Sequence, residues 1–180
     1  MNWMKKVAVA LVCLLPLGLQ AAKVDTLQVK SPSMNKSIEV VVVSPDVAVT
    51  KACPVIYLLH GYGGNARTWV GIKPDLPKIA DEKGIFFVCP DGKNTWYWDS
   101  PLNADVRYET FISDELVKYV DSHYKTVADR KGRAITGLSM GGHGAMWNGL
   151  RHSDVFSAAG STSGGVDIRP FPKNWEMSVQ

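Results

Sequence analysis

The sequence predicts an α/β fold, with a mostly parallel sheet that carries helices on both faces. Apolar runs typical of strands buried on both faces alternate along the chain with segments of helical periodicity. Glycine-rich turns directly follow several of these runs, as expected where parallel strands end in functional loops. A content of 46% hydrophobic and 21% charged residues over 180 residues fits one globular domain.

The first segment of the chain has the composition of a signal peptide. Residues 1–6 are short and basic, residues 7–19 are apolar, and residues 20–22 place small side chains near a cleavage point. The apolar run is too short to span ~30 Å of hydrocarbon, and Pro16 interrupts it. We therefore predict that residues 1–22 are removed on export, and that residues 23–180 form one domain in the periplasm or outside the cell.

Charge and cysteine usage limit the partners that can be expected. Removal of Lys5 and Lys6 with the signal peptide lowers the formal net charge from +3 to +1. This balance lacks the basic field that binding to nucleic acid or to an anionic membrane needs, so we predict neither nucleic-acid binding nor stable membrane insertion. Cys53 and Cys89 lie at opposite ends of two predicted neighbouring strands, beyond disulfide reach, and are expected to be free thiols.

The predicted elements follow one another in the order expected for such a sheet. The predicted strands lie at 24–29, 37–44, 54–59, 85–89, 133–136 and near 156–159. The predicted helices lie at about 73–83, 108–120 and 140–150. The first two strands are rich in β-branched residues and are separated by a turn at 31–35, which predicts an opening hairpin. The continuous apolar runs at 54–59 and 85–89 predict buried parallel strands.

Residues 137–141, Gly-Leu-Ser-Met-Gly, match the pattern of a nucleophile elbow. In such an elbow, a sharp strand-to-helix turn exposes a serine hydroxyl above the sheet, and crowding around it leaves little room for a Cβ at the flanking glycines. The bare pattern occurs by chance, but here it lies between an apolar strand and a helix that opens with small residues. Ser139 is therefore the predicted nucleophile.

A second motif, His-Gly-Tyr-Gly-Gly at 60–64, directly follows the buried strand at 54–59. Acyl transfer needs backbone N–H groups aimed at the developing oxyanion, one from the residue after the nucleophile and one from an earlier strand-to-helix loop. The main-chain N–H groups of Tyr62 and Met140 are accordingly the predicted oxyanion-hole donors.

Several short segments occur in an order that resembles a known family. These segments are Leu-Leu-His-Gly at 58–61, Pro-Asp-Gly at 90–92, Tyr-Glu-Thr-Phe at 108–111, Asp-Glu-Leu at 114–116, the elbow at 137–142 and Asp-Val-Phe at 154–156. They resemble the "Putative esterase" family, which includes esterase D (S-formylglutathione hydrolase), feruloyl and acetylxylan esterases, tributyrin esterases and the antigen 85 mycolyltransferases. The resemblance covers residues 24–165 and implies an α/β-hydrolase fold with carboxylic-ester chemistry at Ser139.

The resemblance also bears on the substrate pocket and the triad. It implies that His60, Trp96, Tyr97 and Trp98 lie at the pocket. The family's acid and base follow the nucleophile along the chain, and the positions that would match them are expected beyond Gln180. We therefore expect a sheet truncated after about the sixth strand, and an inactive enzyme if the 180 residues stand alone. The four histidines present, His60, His123, His143 and His152, are not expected to replace the base.

The leading hypothesis is an exported serine esterase that forms an acyl-enzyme on Ser139 and acts on short acyl or aromatic esters of sugars or polysaccharides. A sugar hydroxyl as acceptor would make the same acyl-enzyme an acyltransferase. A third hypothesis is a non-catalytic sugar- or partner-binding domain that uses the aromatic residues 96–98 as a stacking platform. No cofactor or metal is predicted, because the chain has neither a cluster with metal-ligand spacing nor a phosphate-binding loop.

Overall fold

The structure is a computed structural model and describes residues 22–167. The predicted signal peptide lies outside the described residues, apart from Ala22. The strands are β1 Lys23–Ser31, β2 Lys36–Ser44, β3 Val55–Leu59, β4 Phe86–Pro90, β5 Arg133–Leu138 and β6 Ala158–Thr162. They form one sheet in the order β1-β2-β4-β3-β5-β6. β1 and β2 form the predicted antiparallel hairpin, β2 pairs antiparallel with β4, and β4, β3, β5 and β6 run parallel.

The helices occupy the connections between the parallel strands. They are α1 Thr68–Ile72, α2 Leu76–Lys83, α3 Tyr108–Thr110, α4 Leu116–His123 and α5 Met140–Arg151. A π-helical turn at Phe111–Glu115 joins α3 to α4. The helix predicted at 73–83 begins only at Leu76, because Pro77 favours the first turn of a helix, and it ends at Gly84 in a left-handed conformation. Among residues 22–167, no helix is long and apolar enough to cross a membrane.

The alternating valines of β2 show that the sheet is covered on both faces. Val40 and Val42 pack in one core with residues of the π turn, α4 and α5, whereas Val41 and Val43 pack in a second core with Leu76 and Ala80 of α2. All four valines have no exposed surface, as period-two alternation requires of a strand between two layers. The predicted α/β-hydrolase fold with helices on both faces is confirmed.

The last strand lies further along the chain than predicted. Phe156, which the sequence placed in the strand, is buried before β6 begins, and its ring packs edge-on against Tyr57 of β3 at 5.7 Å. The Ser157 N–H donates to the Arg133 carbonyl, and strand pairing with β5 starts at Ala158. Phe156 is therefore apolar because it packs in the core against β3, and not because it belongs to the strand.

The two described cysteines are free, as predicted, and both are buried. Cys53 packs in the core that contains α4 and α5, and Cys89 in the core that contains α2. Burial raises the pKa of Cys53, and it raises the pKa of Cys89 to about 12. Both groups are therefore neutral thiols without the thiolate character of a reactive cysteine.

Candidate active site

The predicted site residues meet at one edge of the sheet. The parallel register pairs Leu59 of β3 with Gly137 of β5, so the two strands end side by side. The turn at 60–64 follows β3, the loop at 91–98 follows β4, and Ser139 follows β5. In open α/β sheets, ligands bind outside the carboxyl ends of the parallel strands. The predicted site residues lie at these ends.

Ser139 lies in a strained turn between β5 and α5. Its backbone angles are φ 54° and ψ −117°, and a residue other than glycine in such a conformation costs about 1–3 kcal/mol. Two main-chain hydrogen bonds hold the turn: the Ser139 N–H donates to the Thr162 carbonyl at 2.8 Å, and the His143 N–H donates to the Ser139 carbonyl at 3.0 Å. A sharp strand-to-helix turn of this kind is the geometry that the predicted nucleophile elbow requires.

The glycines on either side of Ser139 allow β3, β5 and α5 to approach one another closely. A Cβ on Gly137 would lie 2.3 Å from the Gly141 carbonyl, and a Cβ on Gly141 would lie 2.2 Å from the carbonyl oxygen of Leu59. Both contacts are with backbone atoms, which cannot move aside as a flexible side chain can. A side chain at either position would therefore separate α5 from β3.

The turn at 60–64 lies against the elbow. A Cβ on Gly61 would be 3.5 Å from the Cβ of Ser139, and the Gly64 N–H closes the turn by donating to the Gly61 carbonyl. Gly63 has φ 76°, and its N–H donates to the Asn94 side chain at 2.7 Å. Met140 opens α5, whose first-turn N–H groups have no partner within the helix and carry the positive end of its dipole. The two predicted oxyanion donors thus lie on adjoining segments beside Ser139.

His60 holds the turn from below. The Gly92 N–H donates to Nε2 of His60 at 2.9 Å, so the ring proton lies on Nδ1, which donates to the Gly61 carbonyl at 2.7 Å. The ring is only 1% exposed. Both ring nitrogens are used to bind backbone groups, which places His60 beneath the predicted pocket rather than in its wall.

The aromatic residues 96–98 pack more deeply than the sequence predicted. Tyr97 has no exposed surface, and its hydroxyl donates to the His60 carbonyl, so it too lies beneath the pocket. Trp96 is 8% exposed and packs edge-on against His143, and the partly buried Trp98 packs edge-on against Trp147. These rings pack against α5 and do not form an open stacking surface, so the structure gives no support to the hypothesis of a sugar platform.

The remaining histidines also bind elsewhere. His123 contacts the Tyr119 carbonyl at the end of α4, His143 contacts the Gly165 carbonyl, and His152 contacts the Glu109 carboxylate. Burial lowers the pKa of His143. Within the described part of the chain, no histidine ring is hydrogen-bonded to the Ser139 hydroxyl. In that same part, no group of three or more histidine, cysteine, aspartate or glutamate side chains is placed to hold a metal ion.

Sequence reasoning missed a polar contact between α3 and α5. The Glu109 carboxylate accepts hydrogen bonds from the side chains of Trp147, Arg151 and His152 at 2.7–2.8 Å. Burial raises the pKa of Glu109, but the hydrogen bonds from these three side chains outweigh it and hold the pKa below its ordinary value. The one sequence signal was the segment at 108–111, which carried the resemblance without indicating this role.

An apolar groove runs along α5 from the end next to Ser139. It has a volume of about 320 Å³ and is lined by His143, Met146, Trp147, Leu150, Arg151 and Val166. His143 is one helical turn from Ser139, and Leu150 is near the other end of the helix. The groove therefore begins near the elbow and leads away from it.

Comparisons with known proteins bear on the chemistry of this site. The model of the family described as "Putative esterase" matches residues 31–178. Esterase Rv1288 of Mycobacterium tuberculosis is 33% identical over 123 residues, which are 64% of this chain and 26% of that protein. The diacylglycerol acyltransferase/mycolyltransferase Ag85A of Mycobacterium leprae is 32% identical over 158 residues, which are 80% of this chain and 44% of that protein.

A solved ferulic acid esterase superposes with a TM-score of 0.66 and 32% identity, over 77% of this chain and 61% of that chain. This chain therefore spans less than half the length of the two curated relatives it matches here, and less than two thirds of the solved structure.

Proposed function

Because this chain belongs to the "Putative esterase" family, we propose that it is a serine carboxylic-ester hydrolase that acts through an acyl-enzyme on Ser139. The observation that carries the proposal is the conformation of Ser139, a non-glycine residue at φ 54° between β5 and α5. Strain of this kind persists only where the surrounding structure imposes it, and it clusters at active sites. Here the surrounding structure is the close approach of β3, β5 and α5, which the glycines at 137 and 141 allow.

In the proposed reaction, the Ser139 hydroxyl attacks the ester carbonyl while a histidine takes its proton. The N–H groups of Tyr62 and Met140 bind the oxyanion that forms, the alcohol leaves, and water releases the acid from the acyl-enzyme. None of the four described histidines is hydrogen-bonded to Ser139: His60, His123 and His152 bind other groups, and His143 binds the Gly165 carbonyl through Nδ1 while its buried Nε2 has no partner among residues 22–167. We therefore propose that the acid and the base of the triad lie outside residues 22–167.

The substrate class and the location are part of the same proposal. The similarity to a ferulic acid esterase supports aromatic esters. Short acyl esters, and sugars or polysaccharides as the alcohol, are proposed from the family resemblance. The apolar groove beside α5 offers an apolar surface close to the elbow for the acyl group. Export to the periplasm or the exterior is proposed from the basic and apolar segments of residues 1–22.

An acyltransferase is the second candidate function, and the similarity to mycolyltransferase Ag85A favours it. Both activities share the acyl-enzyme and differ only in whether water or an alcohol attacks it. Product analysis in the presence of increasing sugar separates them. A transferase yields more acylated sugar and correspondingly less free acid, whereas a hydrolase yields the free acid throughout.

The proposal is tested by covalent labelling of the full-length protein. A fluorophosphonate probe is expected to add one equivalent, and peptide mapping is expected to place it on Ser139. Ser122→Ala changes an exposed serine on α4 and should leave the adduct unchanged. The proposal fails if the adduct is on another residue, or if a panel of feruloyl and acetyl sugar esters yields neither free acid nor acylated acceptor.

The oxyanion assignment predicts that backbone changes at the turn matter more than side-chain changes. Gly63→Val is expected to lower kcat by about 10²- to 10³-fold, the effect of losing one oxyanion donor. Gly63 has φ 76°, which a β-branched residue adopts only under strain, so the turn that carries the Tyr62 N–H must change shape. Tyr62→Phe alters a half-exposed side chain and is expected to keep kcat close to the wild-type value. Equal losses in these two variants, both folded by circular dichroism, would contradict the assignment.

A further inference from the structure

The loop at 91–98 touches both segments that carry the predicted oxyanion donors. On one side, the Gly92 N–H donates to His60, and the Asn94 side chain accepts from the Gly63 N–H. On the other side, Asn148 of α5 donates from its side-chain amide to the Tyr97 carbonyl at 2.9 Å. The loop therefore links the turn at 60–64 to the nucleophile helix.

The Tyr97 ring fills a space between the loop and α5. This space exists because Gly92 and Gly144 have no side chain. A Cβ on Gly92 would lie 2.0 Å from the Tyr97 ring, and a Cβ on Gly144 of α5 would lie 2.5 Å from it. The Tyr97 hydroxyl donates to the His60 carbonyl at 3.1 Å. Burial raises the pKa of Tyr97 well above its ordinary value, so the hydroxyl keeps the proton that this hydrogen bond requires.

The backbone of this loop is strained where Tyr97 enters this space. Trp96 and Tyr97 have φ values of 59° and 61°, and each costs about 1–3 kcal/mol for a residue other than glycine. The same Asn148 amide that binds the Tyr97 carbonyl also binds the Gly144 carbonyl at 2.9 Å, which ties the strained loop to the middle of α5. The fold thus maintains an unfavourable backbone conformation in order to place one tyrosine between the turn and the helix.

We propose that Tyr97 and Asn148 are positioning residues that set the spacing between the two oxyanion donors. The contacts run without a break from the turn that carries the Tyr62 N–H, through His60 and Tyr97, to Asn148 on the helix that Met140 opens. The oxyanion forms only in the transition state, so a change in this spacing weakens transition-state binding and leaves substrate binding unchanged. The inference rests on the proposed function.

The test compares two tyrosine-to-phenylalanine variants of the full-length protein. Tyr97→Phe is expected to lower kcat about 10- to 100-fold with little change in KM, because it frees the His60 carbonyl and lets the turn shift. Tyr57→Phe is the matched control: Tyr57 is equally buried on β3, and within residues 22–167 its hydroxyl has no hydrogen-bond partner. The control should keep the wild-type kcat.

The second variant is Asn148→Ala, which releases the Tyr97 carbonyl from α5. It is expected to lower kcat in the same way, and the double variant with Tyr97→Phe should lose less than the product of the two single losses, because both changes break one chain of contacts. The inference is overturned if Tyr97→Phe matches Tyr57→Phe in kcat, or if its loss falls on KM alone.

Hydrogen–deuterium exchange supplies a readout that does not depend on catalysis. Peptides that cover 60–64 should exchange faster in Tyr97→Phe than in the wild type or in Tyr57→Phe, at temperatures where all three proteins are folded. Unchanged exchange in the turn would overturn the inference. If the wild type turns over no ester but the turn exchanges faster in Tyr97→Phe, the proposed function fails and the hold of Tyr97 on the turn stands.

Discussion

Replacing Ser139 with alanine is expected to lower kcat for ester hydrolysis by about 10⁶-fold, the loss seen when a triad serine is removed. Without the hydroxyl, no acyl-enzyme forms, and both steps of the proposed reaction lose their intermediate. The two predicted oxyanion donors remain, so a residual rate of about 10³- to 10⁴-fold over the reaction in water should persist. KM should change little, because the serine oxygen contributes to the bond that forms and not to recognition of the substrate.

The measurement is a steady-state assay with a chromogenic ester, combined with rapid mixing. Wild-type protein should release a burst of alcohol that equals the enzyme concentration when deacylation limits turnover, and Ser139→Ala should release none. The two proteins should unfold at similar temperatures, because alanine occupies the same strained backbone angles and the two main-chain hydrogen bonds of Ser139 are retained. Turnover by the folded variant within a hundredfold of the wild type would remove Ser139 from the mechanism.

The elbow and the hairpin could be predicted from the sequence because their signals are local. The pattern at 137–141 and the valines of β2 each determine a conformation within a few residues. Packing between distant segments left no such signal. Phe156 looked like part of a strand because a residue buried against Tyr57 and a residue in a buried strand are both apolar. Likewise, helical periodicity predicted the segment that contains α4 but not the π turn before it. A π turn differs from an α-helix in its backbone hydrogen bonds and requires no particular side chain, so the sequence carries no sign of it.

The aromatic loop shows the same limit at the site itself. The family resemblance implied an aromatic pocket here, but the depth of Tyr97 depends on the missing side chain of Gly144, 47 positions along the chain. Asn148 carried no signal, because a polar residue in a helix interior reads as solvent-facing until the helix is placed against the loop. The conformation of a residue at this site could therefore be predicted from a motif where one segment determines it. Where two segments pack together, only the structure shows it.

Gly141→Ala is expected to be a strongly disruptive single-methyl change at the site. The new Cβ would lie 2.2 Å from the carbonyl oxygen of Leu59 and 2.7 Å from that of His60, so α5 must move away from the end of β3. Overpacking in a well-packed region costs about 1–3 kcal/mol, and contact with the backbone of both Leu59 and His60 places this change at or above the upper end. Movement of α5 also displaces the adjoining Met140 N–H from the oxyanion, so kcat should fall by about 10²-fold or more in the protein that still folds.

Gly71→Ala is the matched control for this prediction. Gly71 lies in α1, and apart from its chain neighbours and the backbone of its own helix, no described atom lies within 4 Å of where its Cβ would be. At such a position, alanine reduces the entropy of the unfolded chain and typically stabilises a protein by about 0.4–1 kcal/mol. Thermal unfolding should therefore show a higher melting temperature for Gly71→Ala and a lower one for Gly141→Ala. Only Gly141→Ala should have a lower kcat. The two variants add the same methyl group to a helical glycine, so they differ only in what surrounds it. If Gly141→Ala kept the stability and kcat of the wild type, β3 and α5 would not approach as closely as the elbow requires.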